Sequence, residues 1–288
     1  MGFTPGGGPD ITARFVAQKL TESWKQQVIV DNRPGAGGTL AAGQVARANP
    51  DGYTLLSVSS AHAVAAAIYP KLPYDTFKDL AGITETASSC YVLVVPPSPG
   101  IGSLKELVAA AQRDPGKLNY ASTGVGATPH LAGEMLRVLA NAQLVHVPYK
   151  GNGPAMTDLL AGRVDSMFPT LPSGLPYIKA GRLRALAVTG DRRSNLLPDV
   201  PTVAEQGWPG YRVVNWFGIL GPAKMPPAIL EKLHRTLVEG LEKPQISERL
   251  GSQGVTPESS TPHELAGFMK EEIARWAKLV KSAKITAE

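Results

Sequence analysis

Three glycine-rich turns, each running into an apolar stripe at helical spacing, constrain this chain more than any other feature. They are Pro5-Gly6-Gly7-Gly8-Pro9-Asp10, Arg33-Pro34-Gly35-Ala36-Gly37-Gly38 and Thr123-Gly124-Val125-Gly126-Ala127-Thr128-Pro129. The first leads into Ile11, Phe15, Val16 and Leu20, the second into Ala41, Val45 and Ala46, and the third into Leu131, Met135, Leu136 and Leu139. Short apolar runs that read as strands lie between such stripes, at 28–30, 53–58, 91–95, 118–122, 144–147, 164–168, 183–188 and 212–220. Further helices are expected at 61–68, from a Ser103/Glu106 capping box to Arg113, at 155–161 closed by Gly162, at 175–180, at 228–241 and at 264–281. The last is capped by Thr261, Pro262 and Glu264. Strands that alternate with helices predict an α/β fold with parallel sheets covered on both faces. At 288 residues the chain exceeds what one hydrophobic core usually organises, so two lobes and a cleft are expected.

Composition narrows the function by exclusion. A net charge of +5 suits an anionic partner, yet the basic residues form no stripe, and nucleic acid is not expected. Cys90, the one cysteine, can build neither a disulfide nor a cysteine-based zinc site within the chain, and reads as a buried, inert thiol. His62, His130, His146, His234 and His263 are dispersed, so no metal is expected. Pro129 stands where a dinucleotide fingerprint needs its third glycine, and no loop ends in the Gly-Lys-Ser/Thr of a P-loop. There is no Gly-x-Ser-x-Gly elbow, and the helix start at His263-Glu264 lacks the second histidine of a zinc protease. Neither an enzyme nor a cofactor is expected. No apolar segment is long enough to span a bilayer.

The chemistry that survives is anion binding. A glycine turn before a helix exposes backbone N–H groups, and the helix start adds partial positive charge. His130 could donate to an anion, Lys150 could steer a carboxylate, and Asp10 could accept from a ligand hydroxyl or amine. Trp216 and Phe217 are expected to pack between the lobes.

Several motifs resemble the Bug or TctC-like extracytoplasmic solute receptors of tripartite tricarboxylate transporters. These are the first glycine turn, Asp31-Asn32-Arg33-Pro34-Gly35-Ala36-Gly37-Gly38, Ala48-Asn49-Pro50-Asp51-Gly52-Tyr53-Thr54-Leu55, Tyr69-Pro70-Lys71-Leu72-Pro73-Tyr74-Asp75, Val147-Pro148-Tyr149-Lys150-Gly151 and Asp199-Val200-Pro201-Thr202. The resemblance spans nearly the whole chain. It implies a type II periplasmic-binding-protein fold, with two α/β lobes joined by two crossing hinge strands and the ligand cleft between them. Residues 1–96 plus 218–288 would form lobe one and 97–217 lobe two, with 91–97 and 216–222 as the hinges. It also implies a periplasmic receptor that captures a small carboxylate (a di- or tricarboxylate, an amino acid or an aromatic acid) by lobe closure and delivers it to membrane permease subunits. The alternative is a ligand sensor that signals to a membrane sensor kinase. The expected ligand-binding residues are Pro5, Gly6, Gly7, Gly8, Asp10, Ser60, His62, Thr123, Gly124, Gly126, Ala127, Thr128, His130 and Lys150. Relatives of this kind carry a signal peptide and a strand before the first glycine turn. Met1-Gly2-Phe3-Thr4 stands there in this sequence, and truncation at the N-terminus is the expectation.

Overall fold

The computed structural model describes residues 1–3, 8–97 and 100–286. In chain order its elements are α1 (Gly8–Trp24), a 3-10 turn (Ala36–Gly38), α2 (Thr39–Ala46), β1 (Leu56–Ser59), α3 (Ser60–Ile68), β2 (Leu80–Cys90) and β3 (Val92–Val95). There follow α4 (Leu104–Arg113), β4 (Asn119–Ser122), α5 (Thr128–Leu139), β5 (Val145–Pro148), α6 (Asn152–Leu160), β6 (Ser166–Met167), α7 (Leu171–Lys179) and β7 (Arg184–Val188). The last are β8 (Val214–Pro222), α8 (Pro227–Leu241), α9 (Pro244–Gly251), β9 (Thr256–Pro257) and α10 (Pro262–Ala283).

The chain divides into two compact units, Met1–Ser88 with Trp216–Ala277, and Ser89–Asn215 with Lys278–Glu288. It passes from one to the other inside β2, inside β8 and inside α10.

In the first unit the strand order is β1-β8-β2-β9. Leu56 to Ser59 pair with Leu220 to Phe217 in antiparallel register, and Ala87 and Ser88 pair with Pro257 and Thr256, also antiparallel. β1 is buried along its whole length because α1, α2 and α3 all pack against it. Val16 and Leu20 of α1 meet Ile83, Ile219, Met225, Leu233 and Leu237 in one apolar cluster, which joins α1, β2, β8 and α8.

In the second unit the order is β5-β4-β6-β3-β7. β4 runs parallel to β5 and β6, whereas β3 runs antiparallel to β6 and β7. Its core holds Val92 and Val94 of β3, Ala121 of β4, Ala155, Met156 and Leu159 of α6, and Leu171 and Leu175 of α7. The box at Thr261 closes both ways, with Thr261 Oγ1 accepting from Glu264 N–H at 3.2 Å and Glu264 Oε2 from Thr261 N–H at 2.8 Å; at Ser103 the side chain caps Glu106 N–H at 3.2 Å, while Glu106 Oε2 accepts from Gly102 N–H.

The structure corrects several expectations. The sheets are not purely parallel, because chain segments that cross between units re-enter each sheet against its neighbours. The run Val28-Ile29-Val30 forms no strand. β-branched residues favour a strand only where a ladder receives them, and Ile29 is 75% exposed. The expected strand at Tyr53 starts at Leu56, since Asp51 Oδ1 accepts the Tyr53 N–H and extends the Gly52 turn. No strand is expected at 80–90, yet β2 forms there with its polar residues Thr84, Thr86 and Ser89 buried. Residues 91–97 lie within the second unit, where β3 is hydrogen-bonded into the sheet. Trp216 and Phe217 pack within the first unit, Trp216 edge-on to Phe268 at 5.5 Å and Phe217 among Ala87, Ile246 and Leu250.

Candidate functional site

The third glycine turn joins β4 to α5 in the second unit. Gly124 (φ 133°) and Gly126 (φ 74°) hold backbone shapes that a side chain would strain, which lets the loop fold tightly over the helix start. Ala127 caps α5 without a side-chain hydrogen bond. Several loop amides are already used. Gly124 N–H donates to Ser122 Oγ at 3.1 Å, Gly126 N–H to His130 Nδ1 at 3.0 Å, and Ala127 N–H to Gly124 O at 3.2 Å. The N–H groups of Thr123 and Val125 have no hydrogen-bond partner among the described residues. The glycines therefore shape the loop, and the residues beside them carry its free donors.

Two imidazoles support this loop. His130, on the first turn of α5, stacks on His146 of β5 with ring centroids 3.9 Å apart and planes within 14°. His146 Nε2 lies 2.6 Å from Ser122 Oγ, and its other face meets Tyr120 at 5.1 Å. Tyr120 donates its hydroxyl hydrogen to Glu134 Oε1 at 2.8 Å, and Arg137 grips Glu134 Oε2 through Nε and Nη2 at 2.8 and 2.7 Å. Burial, and then the neighbouring His130, hold the His146 pKa down to about 4; burial also lowers that of His130, against a smaller opposing pull from Glu134. Burial first, then Glu134, pushes the Tyr120 phenol well above its usual range. The Tyr149 N–H donates to Ser122 O at 3.0 Å, which sets the exposed Lys150 one residue from the loop.

In the first unit, the expected site residues Pro5, Gly6 and Gly7 lie outside the described residues. Gly8 begins α1 with Phe217 so close that a Cβ there would stand 2.9 Å from the ring. Asp10, only 3% exposed, accepts from Arg14 Nε at 2.8 Å and from Asn32 Nδ2 at 3.0 Å. Asn32 Nδ2 also reaches Phe3 O at 3.1 Å. This carboxylate thus ties the ends of the glycine turn together. Ser60 and His62 lie in the first turn of α3, both buried. His62 stacks on Tyr74 at 5.8 Å, and its Nε2 and the Tyr74 hydroxyl have no hydrogen-bond partner among the described residues. Burial alone lowers the His62 pKa to about 4 and raises that of Tyr74 to about 12.

The expected site residues do not include Ser122 and His146 in the second unit or Asn32 in the first. Ser122 and His146 sit on adjacent parallel strands whose pairing, Tyr120 opposite His146, is invisible without the register. No cluster of histidine, cysteine and carboxylate side chains that could hold a metal is found among the described residues.

Residues 12–285 match the family described as tripartite tricarboxylate transporter family receptor, TctC. The chain belongs to that family. The UPF0065 protein of the tcbD-tcbE intergenic region in Pseudomonas sp. strain P51 is 40% identical to this TctC-family chain over 286 residues, covering 99% of it and 85% of the relative. BugT of Bordetella pertussis is 38% identical over 281 residues, covering 97% and 86%. Among solved structures, R. palustris Rpa4515 with adipate matches with a TM-score of 0.89 at 34% identity, covering 99% of this chain and 96% of that one. MatC from Rhodopseudomonas palustris with bound malate matches with a TM-score of 0.84 at 31% identity, covering 97% and 96%. The fold is that of the TctC-type periplasmic solute-binding proteins, and TctC-family proteins are binding receptors, not enzymes. No helix among the described residues is long and apolar enough to cross a membrane.

Proposed function

We propose that the chain is a periplasmic receptor that captures a small carboxylate and delivers it to the membrane permease of a tripartite tricarboxylate transporter. The observation that carries this reading is the pair of N–H groups, Thr123 and Val125, without a partner among the described residues, at the start of a twelve-residue helix with no side-chain cap. Backbone donors backed by a helix start suit a carboxylate and cost little reorganisation when it arrives. Adipate and malate, held by two relatives of the same fold, are of this chemical class. In this reading the receptor captures its ligand by closing on it, since a ligand with better contacts in the closed state shifts the equilibrium toward it. Lys150 supplies long-range attraction.

A thermal-shift and calorimetry screen of aliphatic dicarboxylates, tricarboxylates, amino acids and aromatic acids tests the reading. At a hundred times its Kd, a ligand adds about 2.7 kcal/mol of stability. Stabilisation by at least one carboxylate, and none by its amide, is the expected result. No response to any carboxylate overturns the reading. Delivery is tested by uptake of that carboxylate into vesicles that contain the permease, with and without this protein.

A further inference from the structure

The loop that carries the free amides is held by two stacked histidines, and the hydrogen bonds fix their chemistry. Gly126 N–H donates to His130 Nδ1, so that nitrogen carries no hydrogen, and the ring is the neutral tautomer with its proton on Nε2. A proton placed on Nδ1 would face the Gly126 N–H and break the bond. Ser122 Oγ accepts from Gly124 N–H and lies 2.6 Å from His146 Nε2, so β5 reaches the loop through one serine. With ring centroids 3.9 Å apart, a proton gained by either imidazole places its charge against the other and disfavours a second protonation. The other ionisable groups packed on the pair are Tyr120 from β4 and Glu134 and Arg137 from α5, and these last two are already bound to each other.

We propose that His130 and His146 are positioning residues: through Gly126 and Ser122, the stacked pair fixes the shape of the 122–128 loop, and so the aim of the Thr123 and Val125 N–H groups, only while both rings are uncharged. The proposal rests on the receptor reading in one respect, that this loop receives the ligand. It assigns the histidines no ligand contact of their own. It also makes the loop sensitive to acid, because protonation of His130 removes the acceptor that Gly126 needs.

The test uses variants that separate acceptor, stack and fold. His130→Leu removes the Nδ1 acceptor, whereas His130→Asn restores an oxygen near that position and cannot become charged. His146→Phe keeps the stack and loses Ser122, and His146→Gln keeps a polar group for Ser122. The first readout needs no ligand: amide hydrogen exchange at Gly124 and Gly126, with the histidine tautomers read by nitrogen NMR. Losing one hydrogen bond should speed Gly126 exchange about tenfold in His130→Leu, with His130→Asn remaining closer to wild type. The second readout is the affinity for adipate and malate at pH 7.5 and at pH 5. Wild type should lose more affinity on acidification than His130→Asn does, a comparison in which protonation of the ligand cancels. Equal Gly126 exchange in wild type and His130→Leu overturns the proposal, as does His130 carrying its proton on Nδ1. If no carboxylate of the screen binds wild type while exchange responds as expected, the receptor reading is at fault and the network stands.

Discussion

Gly133 of α5 lies against the ring of Tyr120 of β4 so closely that a Cβ at this position would overlap the ring carbons. Tyr120 is also the residue that stacks on His146 and bonds Glu134, so the helix spacing set by this glycine controls the support beneath the loop. Gly133→Ala should therefore cost about 1–3 kcal/mol through overpacking, despite the gain in helix propensity. Urea unfolding measures it, and a stabilised variant would show that the ring moves freely.

Asp10 gives a different prediction. Its buried carboxylate bonds both Arg14 and Asn32, so Asp10→Ala should destabilise the protein by about 1–3 kcal/mol, even with no ligand present. A residue that served only to contact ligand would leave the unliganded melting temperature unchanged, and calorimetry without ligand separates the two.

His62 makes stability depend on pH. Burial holds its folded pKa near 4 against an ordinary 6.5, so between these values the unfolded chain takes up a proton that the folded one refuses. The stabilisation is complete above pH 6.5 and is lost as pH falls towards 4, on the order of 3 kcal/mol from this group. His146 adds to the loss in the same window. Denaturation midpoints from pH 7.5 to 4, alongside an NMR titration of His62, check the sign. A His62 that titrates near 6.5 would refute the assignment.

Cys90 is half-buried, and burial raises its thiol pKa to about 11. Iodoacetamide at pH 7.5 should label it slowly in the native protein and rapidly in urea. Fast native labelling would contradict the burial.

The sequence disclosed those features that depend on local spacing. The capping box at Thr261 forms as read, Ser103 caps its helix, and the glycine turn before α5 lies where the residues placed it. It did not disclose features that depend on partners far along the chain. β2 escaped because hydroxyl side chains hide its strand character. Its Thr84 Oγ1 accepts the Ser260 N–H, and Ser260 Oγ accepts the Glu85 N–H, bonds no hydropathy pattern can announce. Val28–Val30 failed in the opposite way, with strand-like residues and no ladder to join. Within the site, the expectation named Thr123 together with Gly124 and Gly126, whereas the geometry uses the two glycine amides inside the loop and leaves those of Thr123 and Val125 unpaired among the described residues. Glycine marks where a backbone bends, and which amide stays free depends on the side chains that fold back onto the bend.

The pairing of Leu56 with Leu220 sets an order of assembly. As the chain leaves the ribosome, β1 must wait for β8, and by then every strand from β3 to β7 has already emerged. The sheet that carries the histidine pair can therefore close around itself first, while the opening third of the polypeptide is still without its neighbours. A nascent chain arrested before β8 should protect the later-encoded sheet from protease and leave the earlier segment open to cleavage.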